Sequence, residues 1–336
     1  GHTWQAALGA VFLSGILFVI MSVLPVREWL INAIPRNLKL GISAGIGLFI
    51  GFIALRNAGI VIDHPATLVT LGDLTSFAPL WCMVGFIILA ALSARQVVGA
   101  VIIGMLLVTV AGWLTGNAEF NGIVSMPPSP APVFLQLDIA AAFNVSMVTV
   151  ILTLLLVDVF DTAGTMVGVA TRAGLVDANG RLPRLGKALL SDSGATVVGA
   201  LAGTSSTTSF IESGAGVEAG GRTGLTAVVV GAIFLACLFL APLAQSIPAY
   251  ATASALLFVA CIMARSLADV DWQDLTESTP AVVTALAMPL AFSIADGIGF
   301  GFITYAAIKI TSGQARQCPA AVYVIAAVFA LKFALL

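Results

Sequence analysis

Apolar residues come in blocks of membrane-spanning length along almost the whole chain. The blocks run roughly over 6–24, 38–56, 78–94, 97–114, 145–171, 186–202, 223–245 and 249–267. A helix rising 1.5 Å per residue needs about 20 apolar residues to cross a hydrocarbon core of about 30 Å. Each block therefore predicts a spanning helix. Residues 212–221 make a half-span, and a last apolar segment covers 318–336. Residues 280–312 are too long for one span and are interrupted at Asp296-Gly-Ile-Gly299. They predict a tight hairpin of two short helices with Asp296 at its apex. The pattern amounts to about 11 or 12 membrane segments at this length per span.

One stretch breaks the pattern. Gly203-Thr-Ser-Ser-Thr-Thr-Ser-Phe-Ile-Glu212 is polar and lies between the apolar run 189–202 and the Gly/Ala-rich run 213–219. A lipid-facing helix turn of this composition would leave hydroxyls and a carboxyl without partners. β-branched Thr favours extended backbone. The stretch predicts a short extended segment inside the membrane, followed by a half-helix beginning near Glu212. Free backbone N–H groups of such a segment make a polar site, which a membrane protein tolerates around a cavity.

Composition sharpens the class. Of 336 residues, 60% are hydrophobic and 9% charged, against about 25% charged in a soluble domain. This is an all-α polytopic membrane protein. A net charge of −2 with dispersed basic residues gives no footprint for nucleic acid, and none is expected as a partner. Cys82, Cys237, Cys261 and Cys318 stand singly in or beside apolar segments and read as small core residues. With only His2 and His64, both near segment ends, neither a metal site nor a cofactor is expected.

Basic residues orient the spans. The loop 172–187 carries Arg172, Arg181, Arg184 and Lys187, whereas the connection 115–144 carries no Lys or Arg. The positive-inside rule puts the first in the cytoplasm and the second outside it. A weak internal repeat accompanies this order. Ala33-Ile34-Pro35 opens one long span followed by a hairpin at 78–114, and Ser246-Ile247-Pro248 opens another followed by a hairpin at 280–312. The two copies enter from opposite sides, as inverted transporter repeats do. The second copy has more segments before its Ile-Pro than the first, so about three spans are expected ahead of Gly1 by this symmetry.

Two carboxyls sit deep in the apolar pattern. Asp161 lies about 16 Å from Arg172 at 1.5 Å per residue, and Glu212 about 15 Å from Arg222. Each costs at least about 2.5 kcal/mol at the bilayer centre if charged and unpaired. They read as a substrate and proton site near the midplane, a bland structural role being the alternative. Asp158 precedes Asp161 by three residues and shares a face with Thr162, which makes it a second partner for that site. Asp192, five residues past Lys187, reads as structural. The Gly-rich face of Gly41, Gly45, Gly47 and Gly51 reads as a close-packing surface.

Three motifs then carry a family resemblance. Val157-Asp-Val-Phe-Asp-Thr-Ala-Gly-Thr165, Gly203-Thr-Ser-Ser-Thr-Thr-Ser-Phe-Ile-Glu-Ser213 and Phe292-Ser-Ile-Ala-Asp-Gly-Ile-Gly-Phe-Gly301 resemble the AzgA-type purine nucleobase permeases. Those belong to the nucleobase–cation symporter 2 superfamily. The resemblance covers essentially the whole chain and implies the UraA-like, seven-plus-seven inverted-repeat transporter fold. It implies a core domain of residues 1–24 and 145–245, and a gate domain of 38–114 and 249–312. It implies substrate binding by Asp161 and Glu212, a nucleobase pocket lined by Phe210 and Ile211, and Thr165 one turn below Asp161. Proton coupling would fall to Asp161 and Glu212, with Asp158 behind them. The family's Gly-Leu-Asn-Ala-type motif of the third span is absent from this sequence, in keeping with spans ahead of Gly1.

The expected function is proton-coupled uptake of purine nucleobases such as hypoxanthine, guanine or adenine across the cytoplasmic membrane by alternating access. A purine offers N–H donors to carboxylates and ring acceptors to backbone N–H groups. The expected partners are a purine, a proton and the lipid bilayer, with a homodimer left open. An anion transporter or channel of the same architecture, of the sulfate or bicarbonate type, is the alternative, though two midplane carboxyls would repel anions. An intramembrane enzyme is not expected, because the two histidines are badly placed to serve as a base.

Overall fold

The computed structural model of this chain describes all residues except 1–2, 24–33, 173, 176–183, 211–212, 219 and 336, and inside its helices a few side chains, Asp161 among them, are also outside the described set. The described elements are helical apart from one small hairpin of strands. The chain divides into two compact units. One holds residues 1–39, 128–231 and 306–336, and the other holds 40–127 and 232–305.

In the first unit, α1 (Trp4–Val23) packs along α5 (Val145–Arg172) and α6 (Leu185–Ala202). The interface of α1 is made of small residues. Ala6, Ala10 and Ser14 are buried at fourth-residue spacing, one face of a helix. A Cβ added at Gly15 would lie 3.0 Å from the Val197 side chain of α6. Small residues let two helix backbones approach where no hydrophobic force between apolar surfaces exists in lipid. Apolar Met147, Ile151, Leu155 and Val159 are buried along α5. The connection 128–138 binds back onto the same helices. Leu135 N–H donates to Leu201 O at 2.9 Å, and Asp138 N–H to Gln5 O at 3.0 Å. The Asp138 side chain then caps the single turn Ile139–Ala142 by accepting from Ala141 N–H.

α2 (Arg36–Asn57), which belongs to the second unit from Leu40 on, starts directly after Pro35, and α9 (Ala249–Ala264) of the second unit directly after Pro248. Proline fixes φ and lacks the N–H that a first turn would leave unpaired, so both residues suit a helix start. α3 (Phe77–Ala94) and α4 (Ala100–Leu114) form an antiparallel pair closed by Gly99 at φ +79°, and α9 packs on both. Their shared core holds Cys82, Val108, Tyr250 and Ala251. The Gly-rich face of α2 is a packing surface: a Cβ on Gly41 would stand 2.6 Å from the Ala281 backbone, and one on Gly47 2.6 Å from Met263. Between α2 and α3 lies a hairpin absent from the apolar pattern. β1 (Val61–His64) pairs antiparallel with β2 (Leu68–Leu71), Val61 opposite Leu71 and His64 opposite Leu68.

The hairpin expected over 280–312 is present, but its break lies elsewhere. α10 (Leu275–Leu290) ends at Ala291–Ser293, and α11 (Ile294–Thr311) begins before Asp296. Phe292 takes the turn at φ +49°. Ser293 Oγ accepts from Asp296 N–H at 3.1 Å, as an N-cap does, and the Asp296 carboxyl lies in the first helical turn, where the helix dipole favours it. Asp296 is thus a helix-starting residue of α11, not the apex. Across the hairpin, Tyr305 Oη donates to Glu277 Oε1 at 2.7 Å.

The chain also holds the short helix α7 (Ser213–Glu218), α8 (Gly224–Cys237), continued by the turns Leu238–Leu240 and Ala241–Gln245, and α12 (Ala320–Leu335). Among the described residues five helical stretches are long and apolar enough to cross a membrane: Trp4–Val23, Arg36–Asn57, Phe77–Ala94, Gly224–Gln245 and Ala249–Asp269.

Candidate functional site

The polar stretch is not helical. α6 ends at Ala202 in a Schellman motif. Gly203, at φ +92°, donates its N–H to Ala200 O at 3.2 Å, and Thr204 N–H reaches Gly199 O at 2.9 Å. A Cβ on Gly203 would lie 2.6 Å from Val133, so both the backbone angle and the space call for glycine. Residues 204–210 then run without regular secondary structure to the short helix α7. The position of the break and the helix after it are as the Thr/Ser-rich pattern predicted.

Helices α5 and α6 hold this segment through side chains. On α6, Leu189, Asp192, Ser193, Thr196 and Gly199 fall on one buried face. Thr196 Oγ1 donates to Thr207 O at 2.8 Å and accepts from Thr207 N–H at 3.3 Å. One hydroxyl thereby satisfies both backbone groups of a residue that has no ladder partner. One turn earlier, Asp192 Oδ1 accepts from Ser209 Oγ at 2.8 Å and Asp192 Oδ2 from Thr162 Oγ1 at 2.7 Å. Thr208 Oγ1 lies 3.1 Å from Thr162 Oγ1. Because the Thr162 proton goes to the carboxylate, Thr208 is the donor of that pair.

Of the residues expected at the site, Asp158 and Thr165 are buried on the α5 face that also carries Thr162, at four- and seven-residue spacing from Asp158. Phe210 ends this irregular segment with 64% of its surface exposed. The backbone of Asp161 lies in α5, one residue before Thr162, while its side chain is outside the described set. Ile211 and Glu212 also lie outside the described residues. Asp192 reads as structural from its distance to Lys187. The structure buries it and makes it the common acceptor for α5 and the irregular segment, a link that depth along the span does not reveal. The readable signal is the polar stripe Asp192, Ser193 and Thr196 ahead of Gly199 on one helical face. Among the described residues no group of His, Cys, Asp and Glu could hold a metal ion.

The comparison with known proteins now decides the class. The sequence pattern of Xan_ur_permease, a permease family, matches residues 1–300. The chain belongs to this permease family. It is 47% identical over 332 residues to the adenine permease AdeP of Escherichia coli (strain K12), covering 99% of this chain and 75% of that one. It is 45% identical over 334 residues to the guanine/hypoxanthine permease PbuG of Bacillus subtilis (strain 168), covering 98% and 76%. Among solved structures, the transmembrane domain of a cyanobacterium bicarbonate transporter, BicA, superposes with a TM-score of 0.67 at 16% identity, over 87% of this chain and 76% of that chain. At that identity the likeness concerns the fold alone, and the fold is a mostly helical, UraA-like transporter transmembrane domain. The permease is a multi-pass protein of the plasma membrane and a transporter, not an enzyme.

Proposed function

We propose that this permease carries purine nucleobases across the membrane, with hypoxanthine, guanine and adenine as the candidate substrates. The observation that carries the reading is the break in the helical pattern at Gly203–Phe210, held by hydroxyl contacts to α5 and α6, in a chain so similar to named purine permeases. A nucleobase is flat, carries N–H donors and ring acceptors, and needs both kinds of partner together with an aromatic face. In this reading Asp161 and Glu212 accept the purine N–H groups. Phe210 and Ile211 line the base, and Thr165 supports the site one turn from Asp161. The bicarbonate carrier of similar fold gives no support to an anion substrate, because carboxyls at the site would oppose one.

The finer reading is a proton symporter. In this reading Asp161 or Glu212 serves as the proton carrier, with Asp158 behind them. Residues 1–24 and 145–245 form the substrate-binding core in this scheme and 38–114 with 249–312 the gate, the core moving past the gate in alternating access. Uptake of labelled hypoxanthine, guanine and adenine by cells carrying the full-length permease, with and without a proton gradient, tests both levels. Uptake that ignores the gradient removes the symport. Absence of uptake and binding of all three bases removes the purine reading.

A further inference from the structure

Asp192 stands between the two halves of the proposed site. Its two oxygens are divided between two elements. Oδ2 takes the hydroxyl of Thr162, the residue after Asp161, and Oδ1 takes the hydroxyl of Ser209, the residue before Phe210. The carboxylate is 8% exposed and Thr162 is fully buried. Thr208 adds a second link by donating to Thr162. A side chain on α6 thereby sets how far the irregular segment stands from α5.

We propose that Asp192 is a positioning residue for purine recognition: it fixes residues 207–209 against α5 and so sets the spacing between Asp161 and Phe210. The inference rests on the purine reading for its ligand, though not for its geometry. An ionised carboxylate only accepts hydrogen bonds, which suits a site facing two hydroxyl donors. An asparagine fits the same network. Its amide oxygen accepts from Ser209, its NH2 donates to Thr162, and the Thr162 proton turns to Thr208, which gives up its own donation to Thr162 in exchange. An alanine takes the acceptor from Ser209, leaves Thr162 only its contact with Thr208, and opens a gap between the segment and α6. Spacing and titration are therefore separable by substitution: Asp192→Asn keeps the spacing and removes the titratable proton.

Two readouts test this in the full-length permease with Cys237 and Cys261 replaced by serine. The first is equilibrium binding of hypoxanthine, guanine and adenine. Asp192→Ala is expected to weaken binding by about tenfold or more and to flatten the preference among the three bases, whereas Asp192→Asn stays within a few-fold of wild type, the loss following from hydroxyls that no longer share an acceptor. The second uses no purine: the rate at which a maleimide labels Ser206→Cys, a half-buried position on the segment. Asp192→Ala is expected to raise it by about tenfold through local opening, and Asp192→Asn to leave it unchanged. Ser209→Ala, which removes one link only, gives a smaller rise and keeps the proposal testable if Asp192→Ala does not fold. Unchanged labelling in Asp192→Ala and Ser209→Ala overturns the proposal. So does an Asp192→Asn variant as defective as Asp192→Ala in both readouts, since titration would then matter and spacing would not. A wild-type protein that binds no purine sinks the purine reading alone, and the labelling rates still decide the role of Asp192.

Discussion

The Thr196 hydroxyl takes both backbone groups of Thr207, donating to its carbonyl at 2.8 Å and accepting from its N–H at 3.3 Å. Inside a membrane an unpaired backbone group has no water to turn to. This contact pairs both backbone groups of Thr207 in the irregular run that follows the helix end at Gly203. Thr196→Val keeps the shape and removes the hydroxyl, so two hydrogen bonds worth about 0.5–1.5 kcal/mol each are lost. We expect a lower thermal midpoint and weaker purine binding for Thr196→Val, and near wild-type values for Thr196→Ser. Thermal unfolding of the purified permease beside equilibrium binding checks both. A valine variant indistinguishable from wild type would mean that the segment is held by other contacts.

Gly203→Ala tests the same break from its other end. The residue sits at φ +92° with Val133 2.6 Å from where a Cβ would be. A left-handed conformation costs an L-residue roughly 1–2 kcal/mol before any clash. Val133 belongs to the connection that donates Leu135 N–H to Leu201 O, so relief of the clash disturbs that anchor as well. We expect a reduced thermal midpoint, partly restored by pairing Gly203→Ala with Val133→Ala. Equal midpoints for the single and double variants would show that space at Val133 is not the constraint.

Much of this arrangement is legible in the sequence because it rests on local chemistry. Pro35 and Pro248 announce helix starts, Gly203 followed by Thr and Ser announces an end, and the glycines of α2 announce a close approach. The linking role of Asp192 is not legible from depth along its span, because it depends on which face of α6 the residue occupies and on hydroxyls 30 and 17 residues away. Asp296 misleads for a related reason. Polarity locates a break there, while the backbone turns at Phe292, where α10 has already passed Pro289. The β1–β2 strands pair with each other and lie mostly exposed, so no core-directed alternation marks them.

The orientation of the chain gives an independent prediction. The connection 115–144 has no Lys or Arg, and the loop 172–187 has four, Arg172, Arg181, Arg184 and Lys187. By the positive-inside rule the first faces out and the second faces the cytoplasm. In intact cells an impermeant maleimide is expected to label Ser129→Cys and to spare Asn179→Cys until the membrane is opened. Labelling of position 179 in sealed cells would reverse the topology.

The two carboxyls of the proposed site separate binding from coupling. Asp161 lies beside Thr162, which the Asp192 network holds, so its backbone position is set by contacts that do not involve substrate. Asp161→Ala removes an acceptor for a purine N–H and leaves that donor unpaired on binding, a loss of about 1–3 kcal/mol, or roughly fivefold to 150-fold in affinity. Glu212→Gln keeps a hydrogen-bonding side chain of the same length and removes the titratable proton. Binding is then expected to survive better than accumulation: Glu212→Gln still binds hypoxanthine, guanine or adenine and exchanges them, yet fails to concentrate them against a gradient. Wild-type accumulation should fall as the external pH rises and protons become scarce, whereas exchange by Glu212→Gln should be flat over the same range. Equilibrium binding, exchange and net uptake measured across pH for both variants decide the assignment. If both variants bind all three bases like wild type and still concentrate them, neither carboxyl carries substrate or proton.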